Sequence, residues 1–278
     1  MARLEDIAQT VYGDDSRKTI KSFDIIGDIA IIKIPDELVD DRRFIFAREI
    51  INSFPYIKVV YRQVEGVEGL FRLRRLEHLA GEERSTTIYR EHGSRFWVDV
   101  ERVYFSPRLS YERRRISTLV SKGERVLNMF AGVGTFTIHI AKKGAKVYSI
   151  DINPYAISLH LINNRLNRVE DKISTVLGDS SKASEYVEDV DRVLMPLPEL
   201  AIKYIPYALP LLKDGGWMHV YLHTRYLDDE EEALRTSEDL VSRNITDLGW
   251  RILTVRSRVV REVAVRTAQV VVDVEVSR

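Results

Sequence analysis

Three features in the second half of the chain have the residue types needed to hold a nucleoside. The first is the turn Phe130-Ala131-Gly132-Val133-Gly134, where small residues let backbone approach a ligand and a following helix favours negative groups. Glycine is also the default residue of tight turns, so packing alone is the plainer reading of this turn. Asp151 stands 17 residues beyond Gly134. At a strand end, its carboxylate can accept both hydroxyls of an adenosine ribose. Asp179, within Gly178-Asp179-Ser180, ends the next strand near where an adenine would lie. The turn lacks the third glycine of G-x-G-x-x-G that admits a pyrophosphate, and a sulfonium nucleoside needs no such cradle. S-adenosylmethionine is therefore preferred to a nicotinamide dinucleotide.

These positions act together only if successive strands end on one rim. From Glu124 the chain alternates in that way. Apolar runs at 124–130, 145–151, 171–179, 189–198 and 215–223 read as strands, with helical patterns at 135–143, 153–167, 199–213 and 228–248. Such alternation implies a parallel, doubly wound sheet. Two last strands, 250–259 and 267–276, have no helix between them and imply an antiparallel hairpin, an ending typical of class I methyltransferases. The fold expected is thus α/β, a Rossmann-like methyltransferase domain with a seven-stranded sheet, over residues 123–278.

A small α+β domain is expected before it, over 21–105. Short runs at 28–34, 56–62, 70–74, 85–91 and 96–105 read as strands, with a helical pattern at 36–53. In the last run Phe96, Val98 and Val100 alternate with Trp97, Asp99 and Glu101, the period of a strand with one polar face. Residues 1–20 read as an N-terminal extension and 106–122 as a linker helix, with Ser106 and Pro107 at its start.

Composition closes off other chemistry. The chain has 278 residues and no cysteine, so disulfides, thiolate metal sites and cysteine nucleophiles are excluded. Of its six histidines only His219 and His223 have H-x-x-x-H spacing, and they fall in the strand-like run 215–223 rather than on one face of a helix, so no metal is expected. No apolar run is long enough to span a membrane, and the N-terminus lacks a signal layout, so a cytoplasmic protein is expected. Formal net charge is zero, yet the charge is sorted along the chain. Residues 61–120 hold 12 arginines against 9 acids, and 201–250 hold 5 basic residues against 9 acids. That sorting makes a local basic patch, rather than global charge, the footprint to look for.

Four segments carry a resemblance: FRLRRLEHLAGEERSTTIYREHG (71–93), VDVERVYFSPRL (98–109), NMFAGVGTFTIHIA (128–141) and YSIDINPYAI (148–157). Together they resemble the archaeal and eukaryotic tRNA guanosine-37 N1-methyltransferase family, whose wyosine-pathway relatives share much of the pattern. The resemblance implies a tRNA substrate held at the anticodon loop, S-adenosylmethionine as cofactor, and an archaeal source, with the chain acting as a monomer. It maps a general base onto Glu112 and the guanine-contacting arginine onto Arg72. Tyr104 and Arg108 fall in the base-binding region, with Arg74, Pro196, Pro198 and Arg266 as further substrate contacts. Cofactor contacts map to Arg113, Met129, Phe130, Gly132, Gly134, Asp151, Ile152, Asp179, Ser180 and Leu197. Arg72, Arg74 and Arg75, Arg113 to Arg115, and Arg256, Arg258, Arg261 and Arg266 are candidates for a phosphate track. Tyr104, Phe105 and Trp97 are candidates for stacking on a flipped base, although strand aromatics more often belong to a core.

The chain departs from that pattern at several positions. It reads Met195-Pro196-Leu197-Pro198 where simple N1-methylating members read M-N-L-P. Proline there resembles the archaeal branch that methylates a tricyclic wyosine precursor, so C7 methylation of 4-demethylwyosine, alone or beside N1 methylation, is the second reading. Asn128 replaces a common aspartate and Val265 a proline of the late A-P-R segment. An additional N-terminal domain that touches the tRNA elbow in many members is not expected. Aminocarboxypropyl transfer and a non-catalytic RNA-binding subunit are more distant alternatives.

Overall fold

The computed structural model describes residues 3–18 and 23–278. They form two compact units that divide between Arg108 and Leu109. In the first, helix α1 (Leu4–Tyr12) precedes strands β1 (Asp24–Ile26) and β2 (Ile29–Ile32), helix α2 (Arg42–Ser53), and strands β3 (Val59–Glu68), β4 (Leu73–Gly81), β5 (Thr86–Glu91) and β6 (Ser94–Asp99). β1 to β4 make one sheet in chain order. β2 and β3 run parallel, which requires a crossover, and α2 supplies it. Leu4, Ile7, Ala8 and Tyr12 recur at helical spacing and pack with Phe46, Ala47 and Ile50 of α2 against Ala30, Ile32 and Val60. The expected extension over 1–20 is therefore, across Leu4–Tyr12, a helix of this unit's own core; residues 1, 2 and 19–22 lie outside the described residues.

The expected strand at 28–34 is β2, and the DII segment before it folds back as β1 around Gly27. A Cβ at Gly27 would lie 2.1 Å from the Thr87 hydroxyl, so only glycine fits that turn. β5 and β6 form a separate hairpin turned by His92 and Gly93, both at positive φ.

The second unit contains α3 (Ser110–Leu119), β7 (Arg125–Asn128), α4 (Thr135–Ala141), β8 (Lys146–Asp151), α5 (Pro154–Leu166), β9 (Ile173–Leu177), β10 (Val190–Met195), α6 (Ala201–Ala208), β11 (Leu212–Arg225), α7 (Glu230–Thr246), β12 (Arg251–Ala264) and β13 (Thr267–Ser277). Its seven strands are ordered β12-β13-β11-β10-β7-β8-β9, parallel from β11 to β9, with β13 antiparallel to both β11 and β12. The seven-stranded doubly wound sheet with its closing hairpin is as expected. The helix expected over 199–213 is shorter. Pro210 cannot extend α6, and the chain enters β11 at Leu212.

Strand alternation gives the sheet two unlike faces. Val193, Met195, Met218, Val220, Leu222, Val270, Val272, Val274 and Val276 pack into one apolar core. The intervening residues Arg192, His219, Tyr221 and Asp273 point to the opposite face and are also buried. His219 pairs in register with Leu194 and Asp273, and Tyr221 aligns through Val271 with Arg258.

Candidate active site

The C-terminal rim of the parallel strands gathers the expected cofactor residues. Gly132 has φ +53, and a Cβ there would meet nothing within 4 Å. This glycine borders open space, as a backbone cradle for a ligand requires. Gly134 is different. A Cβ there would lie 2.4 Å from the ring of His160, so this glycine serves packing. Asp151 accepts hydrogen bonds from the Gly132 N–H at 2.7 Å and the Asn153 N–H at 2.9 Å, fixing the turn to the end of β8. Burial raises its pKa, and those backbone donors oppose the rise.

Asp179 accepts from the Ser181 N–H and from the Tyr204 hydroxyl, each at 2.8 Å. These contacts, the Ser181 backbone first, hold its carboxyl below the usual range, while burial and Asp179 push Tyr204 up to about 12. Tyr204 packs edge-on against Phe130 with ring centroids 5.1 Å apart. Ile152 and Leu177, at the ends of β8 and β9, are exposed large apolar side chains on the same rim. A carboxylate at the end of β8, an open glycine turn and exposed apolar side chains suit an adenosine-bearing cofactor.

Other expected cofactor residues sit behind the rim. Met129 is fully buried in the sheet core, so it offers a ligand only backbone. Ser180 is buried and its hydroxyl is bonded to the Met129 carbonyl. Asn128 is buried as well, donating to Thr137 at 3.2 Å, with Thr137 in turn 2.9 Å from the Ser149 hydroxyl. The neutral amide thus anchors the glycine turn to the sheet. Pro196, Leu197 and Pro198 follow β10 half-buried, and the Leu197 carbonyl accepts from the first turn of α6.

α3 carries Glu112, 1% exposed. Its Oε1 accepts from the Tyr221 hydroxyl at 2.7 Å and Arg115 Nη2 at 2.7 Å. Its Oε2 accepts from Arg115 Nε at 2.9 Å and Arg258 Nη1 at 3.0 Å. A carboxylate has about four lone-pair directions, and here each has a donor. Arg115 also binds Asp273 through Nη1 at 2.6 Å and Nη2 at 3.2 Å. Asp273 meets His219 Nδ1 at 2.5 Å, and His219 Nε2 meets Arg192 Nη1 at 2.6 Å. A guanidinium can only donate, so Nε2 is the acceptor and Nδ1 carries the proton given to Asp273.

Burial keeps His219 neutral by lowering its pKa. Burial alone would raise Asp273, but His219 and Arg115 override it and hold it well below the carboxylate range. Burial and Glu112 push Tyr221 far up, so it remains a donor. This polar chain crosses β10, β11, β13 and α3.

In the first unit, Arg72 adopts φ +55, rare for a bulky residue, and its guanidinium lies 5.1 Å from the Tyr104 ring centroid. Asp24 holds both Arg74, at 3.2 Å, and Arg108, at 2.7 Å; Arg74 also donates to the Phe105 carbonyl at 3.1 Å. Four expected residues, Arg72, Arg74, Tyr104 and Arg108, thus lie in this unit, two of them on Asp24 and two on one another.

The phosphate track needs correcting. Arg113 is buried, Arg115 is spent on Glu112 and Asp273, and Arg74 is buried against Asp24; of the α3 triplet only Arg114 is exposed. Arg256 is exposed on β12, and Arg266, at φ +52, sits at the hairpin tip beside a cavity of about 590 Å³ lined by Arg225, Tyr226, Leu227 and Val265. Phe105 is buried, whereas Trp97 is 38% exposed. Sequence reasoning missed Asp24, Tyr204, Tyr221, His219 and Asp273. The signal was present for the last: one aspartate in the run Val270-Val271-Val272-Asp273-Val274 must have a partner when buried.

Among the described residues no His, Cys, Asp and Glu grouping could hold a metal, and no helix is long and apolar enough to cross a membrane.

The strand order, the glycine turn and the acidic strand ends define a class I methyltransferase fold. Residues 87–246 match the TRM5/TYW2 methyltransferase domain, and residues 4–85 match the TYW2 N-terminal domain. The tRNA 4-demethylwyosine(37)-methyltransferase Taw21 of Saccharolobus solfataricus is 41% identical over 74% of this chain and 79% of its own length. The tRNA (guanine(37)-N(1))-methyltransferase Trm5b of Pyrococcus abyssi is 40% identical over 92% and 75%. Among solved structures, aTrm5 in complex with tRNALeu superposes with a TM-score of 0.82 at 36% identity, covering 99% of this chain and 78% of that one. TYW2 of P. horikoshii in complex with MeSAdo does so at 0.78 and 25% identity, covering 99% of both. The chain belongs to the TRM5/TYW2 methyltransferase family.

Proposed function

We propose that the chain transfers a methyl group from S-adenosylmethionine to N1 of guanosine at position 37 of tRNA. The observation that carries this reading is the rim of the second unit, where open space at Gly132, the Asp151 and Asp179 carboxylates and apolar Ile152 come together. When bound, S-adenosylmethionine supplies a methyl group already activated on a sulfonium, so no metal is required. Phe130, Gly132, Asp151, Ile152, Asp179 and the Leu197 segment hold it, with Gly134, Met129 and Ser180 shaping the turn.

Guanine N1 carries a proton at neutral pH and becomes a nucleophile as that proton leaves. Glu112 accepts it, and positioned acid–base groups contribute about 10²–10⁴ in rate. The N1–methyl bond forms as the sulfur–methyl bond breaks, and negative charge grows on O6. Arg72 stabilises that charge, a contribution of about 3 kcal/mol by analogy with an oxyanion-hole donor. Arg72 is held by Tyr104 in a backbone conformation that arginine seldom adopts. Tyr104 and Arg108 contact the base, and Arg266 and Arg256 meet phosphates. The enzyme works as a single chain in the cytoplasm.

Pro196 favours a second reading, methylation of C7 of 4-demethylwyosine at the same position, alone or in addition. A proline offers no amide to the guanine edge, and the Taw21 relative bears the 4-demethylwyosine name. Incubation with labelled S-adenosylmethionine and tRNAs carrying guanosine or 4-demethylwyosine, followed by nucleoside mass spectrometry, separates the two. Product from guanosine is expected. Product from neither base contradicts both readings.

A further inference from the structure

Glu112 raises a physical difficulty for any base. All four of its acceptor directions are filled by donors, and a proton cannot be taken from a substrate without vacating one. The four contacts are not equally fixed. Tyr221 is 1% exposed. Arg115 is anchored on its far side by Asp273, which is braced by His219, itself held by Arg192. Arg258 alone can leave. Its side chain keeps 34% exposure, it makes one hydrogen bond to Glu112, and its other contact is the face of Tyr111, 5.4 Å away and 70% exposed. It projects from β12 two residues from the exposed Arg256, on the side of the sheet that bears Asp273.

We propose that Arg258 is a positioning residue that occupies Oε2 of Glu112 in the free enzyme and surrenders it to a backbone phosphate of the RNA substrate. The proposal rests on Glu112 being the base. A phosphate competes well for a guanidinium because it too accepts two charge-assisted bonds. Release leaves Glu112 with Arg115 and Tyr221, both of which hold the carboxylate in place, and one of the two acceptor directions of Oε2 open for the substrate. The device confers specificity for polyanionic substrates: a guanine without a phosphate in reach of Arg258 meets a base still engaged. The charged and titratable groups around Glu112 are Arg115 on its own helix, Tyr221 on β11, Arg258 on β12, and Asp273 and His219 behind Arg115.

The test compares Arg258→Met and Arg258→Lys with the wild type on a guanosine-37 tRNA transcript and on a guanosine-centred trinucleotide whose two linkages are uncharged methylphosphonates. Losing one phosphate contact should reduce the slope of log Kd for tRNA against log salt by about 0.9. Single-turnover methylation of the trinucleotide should rise several-fold in Arg258→Met while tRNA binding weakens, so the preference for tRNA collapses. Arg258→Lys, which keeps the charge, should stay near the wild type in salt slope. An unchanged salt slope, or a trinucleotide rate that falls in step with the tRNA rate, overturns the proposal. Glu112→Gln separates the two levels. If it retains activity on both substrates, the base assignment fails; if it loses activity while Arg258→Met leaves preference and slope unmoved, only the role of Arg258 fails.

Discussion

In the first unit Asp24 is shared by Arg74 and Arg108, and the outer of these keeps 55% of its side chain exposed. In the second, Glu112 and Asp273 lie buried among Arg115, Tyr221 and His219, and only Arg258 reaches the surface. Both clusters pair arginine with carboxylate, yet they bear different energies. An exposed pair is screened by water and contributes little. A buried chain is held because every desolvated group has a partner, and removing one strands the next. The contrast between the Arg108 pair and the buried chain follows from exposure, since the residue types are the same.

The largest effect expected from this contrast is at Asp273. Asp273→Ala leaves Arg115 half-paired and His219 without its acceptor, and should destabilise the protein by about 3–5 kcal/mol in denaturant unfolding. Acid comes next. His160 is fully buried, neither ring nitrogen has a hydrogen-bond partner, and burial lowers its pKa to about 3. The native state therefore binds its proton less readily than the unfolded chain. Stability from His160 is complete above about pH 6.5 and lost as pH falls toward about 3, on the order of 5 kcal/mol in all. His219, lowered in the same direction, adds to this, and Asp273 adds more below the ordinary aspartate range. Hydrogen exchange between pH 7 and 4 should show the second unit opening first, and His160→Leu should flatten its pH dependence.

The two glycines of the cofactor turn give a smaller, sharper contrast. Gly134→Ala must displace the His160 ring and should lower Tm even without ligand. Gly132→Ala meets open space, so beyond the strain of its positive φ its main effect should be weaker binding of S-adenosylmethionine by calorimetry. Smallest of all, Arg108→Ala should change stability by no more than about 1 kcal/mol. A larger loss would mean that the exposed pair in the first unit behaves like the buried chain in the second.

Strand and helix alternation made the second unit legible, because period-two and period-3.6 patterns depend on neighbours in sequence. Asp151 and Asp179 were legible for the same reason, as acids closing apolar runs. The hydrogen-bond partners of Glu112 were not: Tyr221 and Arg258 lie 109 and 146 residues away, and no local pattern couples them to α3. Arginines misled for a related cause. An arginine run reads as a basic surface, but on α3 the helical turn sends Arg113 and Arg115 inward and leaves Arg114 exposed. Tyr12 and its helix, likewise, looked like an extension until α2 supplied the surface they bury against.

The central claim is that Glu112 takes the proton from the target base. Glu112→Gln keeps the shape and still accepts from Arg115 and Tyr221 through one oxygen, but it cannot take up a proton at neutral pH. Single-turnover methylation of guanosine-37 tRNA, with S-adenosylmethionine affinity measured alongside, should fall by about 100-fold or more while cofactor binding is preserved. Turnover near the wild-type rate with intact cofactor binding would contradict the account.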